Sequence, residues 1–209
     1  LTINQEYGYR GMEANVLHNL GNIHRDRGLF EEANSFFEES IRIYQDIGLR
    51  KAEGDSMLSQ GSVAADIGEF EEAERIYRKC IEIFLDVGDK YSEGLAYMNL
   101  GLIYGKFKGD LEVSETMSQK SLDIMIDLGR KGDQAKVLVN LGNIALQKND
   151  YLEAEKLYKK SYEISQNIGL RLSEGIALMN LGIIYAKFKG DLEEGEKLLE
   201  GSLEIMQEI

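Results

Sequence analysis

An internal repeat is the feature that most constrains this sequence. One glycine series, Gly21, Gly61, Gly101, Gly142 and Gly182, recurs in steps of 40, 40, 41 and 40 residues. A second series recurs in the same steps, at Gly8, Gly48, Gly88, Gly129 and Gly169. Because two independent markers share one spacing, we interpret the chain as about five copies of one structural unit.

Each copy contains the patterns of two helices. The first carries apolar residues at helical spacing, such as Leu138, Leu141 and Ile144. The second opens with acidic residues such as Glu31 and Glu32, which favour the positive end of a helix dipole. We expect the first helix to end near residues suited to a left-handed cap, namely Gly28, Gly68, Gly109, Asn149 and Gly190. The second glycine series is expected to end the second helix.

Neither helix can bury its apolar stripe alone, so stacked antiparallel pairs are expected to form a continuous core. The sequence therefore predicts an all-α fold, a right-handed superhelical α-solenoid, with residues 1–209 as a single array. The predicted repeats are 9–48, 49–88, 89–129, 130–169 and 170–209, with 1–8 as the end of a preceding repeat's second helix. The extra residue is assigned to the turn at 106–110. No polar capping repeat is visible, so we expect a piece of a longer array.

Charge and composition exclude several partners. The net charge is −13, so duplex nucleic acid and anionic membrane surfaces are poor partners. No apolar run approaches the roughly 20 residues of a membrane helix, and no signal peptide is apparent. Cys80 is the only cysteine, which excludes an internal disulfide. These features favour a cytoplasmic location.

The residues of one copy resemble a known family. The pattern consists of Leu17, Leu20, Gly21 and His24, followed by Ala33, Phe37 and Ser40, and it resembles the tetratricopeptide repeat. The longer period, with a Gly-x4-Glu segment such as Gly48 to Glu53, resembles Pins-type spindle-orientation adaptors and kinesin light chains. The resemblance covers essentially the whole chain and implies a protein-binding scaffold.

Three departures from the family pattern are visible. The usual aromatic residue of the first helix is replaced by His24, Ala64 and Ala145 in three copies, and Gln60 stands where leucine is usual. The proline that commonly closes a repeat is absent, since the chain contains no proline.

A row of polar residues precedes the Leu-Gly or Gln-Gly pair of each copy. Its members are Asn19, Ser59, Asn99, Asn140 and Asn180. In the superhelix that the resemblance implies, first helices line the concave groove. An asparagine amide offers a donor and an acceptor, which match a peptide backbone, and similar asparagine ladders hold peptides in the adaptors that the chain resembles. The alternative is that these side chains join neighbouring helices or face water.

Other residues extend this candidate peptide-binding groove. Asn22 and Asn143 lie one helical turn beyond the ladder, and we include them in the predicted site. The predicted apolar part of the groove consists of Met98, Leu102, Met179 and Ile183. Methionine is flexible and adapts to apolar ligand side chains. Ordinary packing between repeats is the alternative interpretation of these four residues.

Two basic turns interrupt an otherwise acidic chain. They contain Lys106, Lys108, Lys187 and Lys189. They could meet acidic groups of a partner, but complementing the negative end of a helix dipole explains them as well. Phe107 and Phe188, in the same turns, are expected to pack into the neighbouring repeat.

No pattern of catalytic residues is present. His18 and His24 are six residues apart, so they do not share a helix face as a metal-binding pair would. We therefore expect no enzyme activity, metal or cofactor within the chain. The predicted function is capture of an extended or helical segment of a protein partner, with end-to-end packing of terminal helices as an open question.

Three other hypotheses remain. The array could be the sensor or regulatory arm of a larger signalling protein, such as a nucleotide-dependent switch. It could be a peptide receptor resembling the Rap-type regulators. An enzyme would require a catalytic domain outside these residues.

Overall fold

The computed structural model describes the backbone of residues 3–209 and the side chains of residues 9–209. Over this range the chain forms ten α-helices and two π-helical segments, without a strand. The helices are α1 Ile3–Asp26, α2 Phe30–Asp46, α3 Arg50–Asp66, α4 Phe70–Val87, α5 Lys90–Leu102, α6 Leu111–Asp127, α7 Lys131–Gln147, α8 Tyr151–Ile168, α9 Arg171–Ile184 and α10 Leu192–Glu208. The π-helical segments are Ile103–Lys108 and Tyr185–Lys189. The all-α prediction is confirmed.

The helices fall into two compact units, unit 1 at Leu1–Ile103 and unit 2 at Tyr104–Ile209. In unit 1, α1 packs on α2 and α3 packs on α4, while α2 and α4 each also contact the helix that follows. Unit 2 repeats this arrangement with the pairs α7–α8 and α9–α10. The first helices of successive pairs also touch, α1 with α3, α3 with α5, and α7 with α9. This is the packing order of an α-solenoid.

Left-handed residues end the first helices where the sequence predicts them. Gly28 has a φ of 74°, and Asn149 has a φ of 62°. At the first of these turns, the amide of Leu29 donates to the carbonyl of His24 at 2.9 Å. This bond is typical of a Schellman cap and satisfies a carbonyl that the helix itself leaves unpaired.

The extra residue lies at the end of a helix, and not in the turn alone. The first π-helical segment begins at Ile103, ahead of the segment 106–110 to which the extra residue was assigned. The last repeat contains a second such segment, so it carries the same insertion. A π-helical turn takes an additional residue without breaking the helix. The sequence could not distinguish a longer turn from a wider helical turn.

Close contact between paired helices explains the first glycine series. A Cβ at Gly142 would lie 2.5 Å from Cε1 of Tyr158, and one at Gly21 would lie 2.7 Å from Cε1 of Phe37. Both rings are fully buried. Glycine at these two positions therefore lets the paired helices approach closely.

The beginning of α1 differs from the expected pattern. Leu1 and Thr2 lie outside the described residues, as do the side chains up to Gly8. The described backbone is one helix from Ile3 to Asp26, so it continues through Gly8 and does not end there as predicted. A glycine inside a helix weakens it without necessarily ending it. The single array and the repeat boundaries stay predictions.

Candidate functional site

The ladder residues lie on first helices in both units. Asn19 lies on α1 and Asn99 on α5, both in unit 1, while Asn140 and Asn180 lie on α7 and α9 of unit 2. Ser59, the member without an amide, lies on α3 and is half-buried. Whether the four asparagines bind a peptide stays a prediction.

Three ladder asparagines keep their amides available. Asn99, Asn140 and Asn180 are half-buried, and no hydrogen bond joins their side chains to another residue in the described part of the chain. Asn19 differs, because it is exposed and donates to Oδ1 of Asn15 at 3.2 Å. Half-buried amides without a partner are unusual on a helix, where asparagine is not a favoured residue.

The two asparagines one turn further are bonded within the chain. Nδ2 of Asn22 lies 3.0 Å from Nε2 of His18. Oδ1 of Asn143 accepts a hydrogen bond from the Tyr158 hydroxyl at 2.6 Å, and burial raises the pKa of Tyr158 above its usual value. Both side chains thus hold neighbouring residues in place, which the sequence did not reveal.

The four apolar candidates lie next to the asparagines on α5 and α9. Leu102 and Met179 are each 39% exposed. Met98 and Ile183 are half-buried. All four are therefore accessible from the surface that carries Asn99 or Asn180, although their role in binding stays a prediction.

A polar chain joins the first three helices of unit 1. Nδ1 of His18 lies 3.0 Å from Oγ of Ser56, which lies 3.1 Å from Oγ of Ser40. Ser40 donates to the carbonyl of Ala14 at 2.9 Å. If Ser56 donates to Ser40 and Asn22 donates to Nε2, a neutral His18 with its proton on Nδ1 satisfies the whole chain. Burial lowers the pKa of His18, against a smaller upward effect of Asp55.

A buried carboxylate joins neighbouring repeats in unit 2. Glu155 on α8 accepts hydrogen bonds from Lys159 at 2.7 Å, from the Tyr185 hydroxyl at 2.8 Å and from Lys189 at 3.0 Å. Partial burial raises the pKa of Glu155, but these three donors outweigh it and lower the pKa to about 2. The second π-helical segment is thereby fastened to α8.

A repeated spacing could have revealed this cluster. Tyr185 and Lys189 follow Glu155 by 30 and 34 residues. Glu74 is followed at the same spacing by Tyr104 and Lys108.

The basic turns contain lysines with different surroundings. Lys189 is bound to Glu155, and its Nζ also lies 4.2 Å from the centroid of the Tyr185 ring. Phe188 stacks on Tyr151 of the preceding repeat at 4.1 Å, which confirms the prediction for this phenylalanine. Lys187 is exposed and has no ion-pair partner among the described residues.

Two further features of the described residues bear on function. No group of three or more histidine, cysteine, aspartate or glutamate side chains is arranged to hold a metal ion within the described residues. No helix in the described part of the chain has the length and apolar character needed to cross a bilayer.

The fold and the accessible first-helix surfaces define the class as an all-α helix-turn-helix repeat protein. The sequence model of the tetratricopeptide repeat matches residues 12–86, 53–127 and 92–167. These overlapping matches cover most of the chain, which therefore belongs to the tetratricopeptide repeat family, a class of protein-interaction modules.

Solved structures share this fold at low sequence identity. BtubC (BKLC) from P. vanneervenii superposes with a TM-score of 0.83 at 19% identity, over 95% of this chain and 81% of that one. The nearly identical TPR-like repeats attributed to a kinesin light chain of Podosopora anserina give 0.75 at 16%, over 95% and 96%. A signal-transduction ATPase of the STAND class with a tetratricopeptide repeat sensor, from Pyrococcus horikoshii, gives 0.80 at 20%, over 95% and 31%. No curated protein sequence compared with the chain matches it.

Proposed function

We propose that this chain binds an extended segment of a partner protein through the ladder asparagines of its first helices. The observation that carries the proposal is the state of Asn99, Asn140 and Asn180. Each is half-buried at the same place in its repeat, and none is bonded to another described residue. An extended peptide presents a backbone donor and an acceptor, which an amide side chain can bond in pairs.

The surroundings of these amides support a peptide ligand. Leu102 and Met179 are exposed beside them and would accept apolar side chains of the segment. Each amide–backbone hydrogen bond contributes about 1 kcal/mol net. Removing all three amides would therefore weaken binding by roughly a hundredfold.

The test compares the chain with a triple variant, Asn99→Ala, Asn140→Ala and Asn180→Ala. Both are used to capture proteins from the source cell, and a captured protein is then titrated against each by calorimetry. Asn167→Ala is the matched control, because Asn167 is exposed on the second helix α8. We expect the triple variant to keep its helical circular dichroism and lose binding, while the control binds normally. Equal affinity of the triple variant and the unmodified chain would refute the proposal.

A second candidate is a sensor arm within a larger signalling protein. The similarity to the STAND-class ATPase favours it, because that protein contains a tetratricopeptide repeat sensor and this chain spans 31% of its length. In this case the groove ligand would be another part of the same protein. A free short peptide as ligand, as in the Rap-type hypothesis, would instead be recovered from the small-molecule fraction of the lysate. Recovery of a separate protein that depends on the asparagines would argue against both alternatives.

A further inference from the structure

A cavity of about 400 Å³ opens between three helices of unit 1. Residues of the second helices α2 and α4 line it on two sides, and α3 lies between them. The residues that α3 and its cap contribute, Gln60, Val63, Ala64 and Ile67, recur at helical spacing and so lie on one side of this helix. The ladder residue Ser59 does not line the cavity. The cavity is therefore separate from the proposed peptide-binding surface.

In unit 2, a lysine takes the equivalent position at the end of a first helix. Lys148, the cap residue of α7, donates to Glu112 at 2.8 Å and to Glu115 at 2.7 Å. Ile67 is the cap residue of α3 and has almost the same ψ, −2° against −1°. It follows Glu31 by the same 36 residues that separate Lys148 from Glu112. Unit 1 thus contains the carboxylate of this ion pair, with isoleucine in the place of its lysine.

Acceptors that line the cavity remain available. Glu31 and Glu69 both line it, and neither forms an ion pair with another described residue. Asn34 stands at the position of Glu115, and its Oδ1 accepts a hydrogen bond from Gln60 at 2.9 Å. A side-chain carbonyl oxygen has two lone pairs, so it can accept a second hydrogen bond. The two acceptors that correspond to those of Lys148 can therefore bind an ammonium group.

The aromatic residue of the cavity also differs from its counterpart in unit 2. Tyr151 begins α8 and stacks on Phe188 with a centroid distance of 4.1 Å. Phe30 begins α2 and lines the cavity, and it makes no ring contact with another described residue. Ala64 also lines the cavity, and it replaces the aromatic residue that is Tyr185 in the last repeat. The cavity can therefore receive a ring from a ligand, which would stack on Phe30.

We propose that this cavity binds a small aromatic amine. The ring stacks on Phe30 against the apolar side chains of Val63 and Ile67, and the ammonium group donates to the carboxylate of Glu31 and to Oδ1 of Asn34. The ligand thus supplies the ring and the ammonium group that the chain itself supplies in unit 2. The volume of the cavity lies within the range of small-molecule sites, roughly 300–1,000 Å³.

The test titrates phenethylamine into the isotope-labelled whole chain and follows the backbone amide signals by NMR. Two ligand controls divide the probe into its parts: phenethyl alcohol has the ring without the charge, and ethylamine has the charge without the ring. We expect phenethylamine at millimolar concentration to shift the amide signals of cavity residues such as Gln60 and Ala64. Each control ligand should bind at least about fivefold more weakly, because it loses either the ion pair or the stacking contact.

Four variants locate the site on the chain. Ile67→Lys should abolish the shifts, because its own ammonium group would bind Glu31 as Lys148 binds Glu112. Ile67→Met introduces an apolar side chain of similar length without a charge and should bind phenethylamine normally. Glu31→Gln should weaken binding by about fivefold through the loss of one exposed ion pair. Glu39→Gln is the matched control, since it changes the net charge equally at an exposed residue of α2 outside the cavity.

Several outcomes would overturn the proposal. Equal binding of ethylamine would show that the acidic surface attracts any cation, and equal binding of phenethyl alcohol would show that the charge has no role. Equal weakening by Glu39→Gln would assign the effect of Glu31→Gln to net charge. Normal binding by Ile67→Lys, or the same loss in Ile67→Met, would contradict the equivalence of the ligand's ammonium group and that of Lys148. Unshifted cavity amides would refute the site itself.

Discussion

Units 1 and 2 each contain a hydrogen bond from a serine of a second helix to a carbonyl of the paired first helix. Only in unit 1 does this bond extend into a longer polar chain. In unit 1, Oγ of Ser40 donates to the carbonyl of Ala14 at 2.9 Å, and in unit 2, Oγ of Ser161 donates to the carbonyl of Ala135 at the same distance. The bond in unit 1 continues through Ser56 to His18. The corresponding positions in unit 2 are Val139 and Ala177, which cannot extend it.

The contacts made at one position of the second helix differ in charge between Asn34 and Glu155. In unit 1, Nε2 of Gln60 donates to Oδ1 of Asn34 at 2.9 Å, which is a neutral pair. In unit 2 the position of Asn34 is taken by Glu155, which is bound by Tyr185 and Lys189. The polar contact at this position is therefore neutral at Asn34 and charged at Glu155. Through His18, the stability of unit 1 should therefore change with pH near neutrality. Through Glu155, the stability of unit 2 should change only in acid.

The largest expected effect tests whether the two cores are equivalent. Phe37 and Tyr158 are both fully buried against a glycine of the paired helix. Replacing either with alanine should lower the free energy of unfolding by about 3–5 kcal/mol, because a large cavity remains. Urea unfolding followed by circular dichroism measures both. A difference of several kcal/mol between Phe37→Ala and Tyr158→Ala would show that the units do not share one packing arrangement.

Tyr158→Phe tests the contribution of the hydroxyl to stability separately from that of the ring. It removes the hydrogen bond to Asn143 and keeps the packed ring. We expect a loss of about 1 kcal/mol. A loss as large as that of Tyr158→Ala would mean that the hydroxyl, and not the ring, stabilises unit 2.

The sequence predicts the fold well because its signals are local. Three signals each act within one helix or turn: the glycine spacing, the apolar residues at helical spacing from Leu138, and the left-handed Asn149. Their structural consequences can therefore be deduced from neighbouring residues. The hydrogen bonds of Glu155 could not be predicted from such local signals. Its partners Tyr185 and Lys189 lie on the next repeat, and their contact depends on how two repeats stack.

The candidate site could be predicted in part for the same reason. The ladder follows from one position of the repeat, so Asn140 and Asn180 are found directly. Whether an amide is available depends on its neighbours in space. Asn143 is bound by the Tyr158 hydroxyl and Asn22 by His18, and neither bond is visible in the spacing of one helix.

The largest effect after those of the two alanine substitutions concerns the charged contact of unit 2. Glu155→Gln should cost about 2 kcal/mol at neutral pH, because hydrogen bonds to a charged acceptor are lost or weakened. The folded pKa is about 2, below the ordinary value of 4.5. The carboxylate therefore stabilises the fold fully above pH 4.5, and this contribution is lost as the pH falls from 4.5 towards 2. Urea midpoints measured across this range should converge for the variant and the unmodified chain.

Gln60→Ala is the matched control for this titration, since it breaks the neutral pair with Asn34 and keeps the hydrogen bond from Asn34 to Glu38. It should cost about 1 kcal/mol at every pH. A pH-dependent loss in Gln60→Ala, or a constant loss in Glu155→Gln, would contradict the assignment of a neutral contact to Asn34 and a charged contact to Glu155.

The smallest expected effect is the response of unit 1 near neutral pH. Burial lowers the pKa of His18 from its ordinary 6.5, while Asp55 acts weakly in the opposite direction. The unfolded chain therefore takes up a proton first, and stability is lost as the pH falls through 6.5. His18→Gln should cost about 1 kcal/mol at neutral pH through weakened hydrogen bonds, and it should remove this slope. Val139→Ala in unit 2 serves as the control, because it leaves the titration of His18 unchanged. Urea midpoints that still fall between neutral pH and about pH 5 in His18→Gln would place the response on another group and remove this difference between the units.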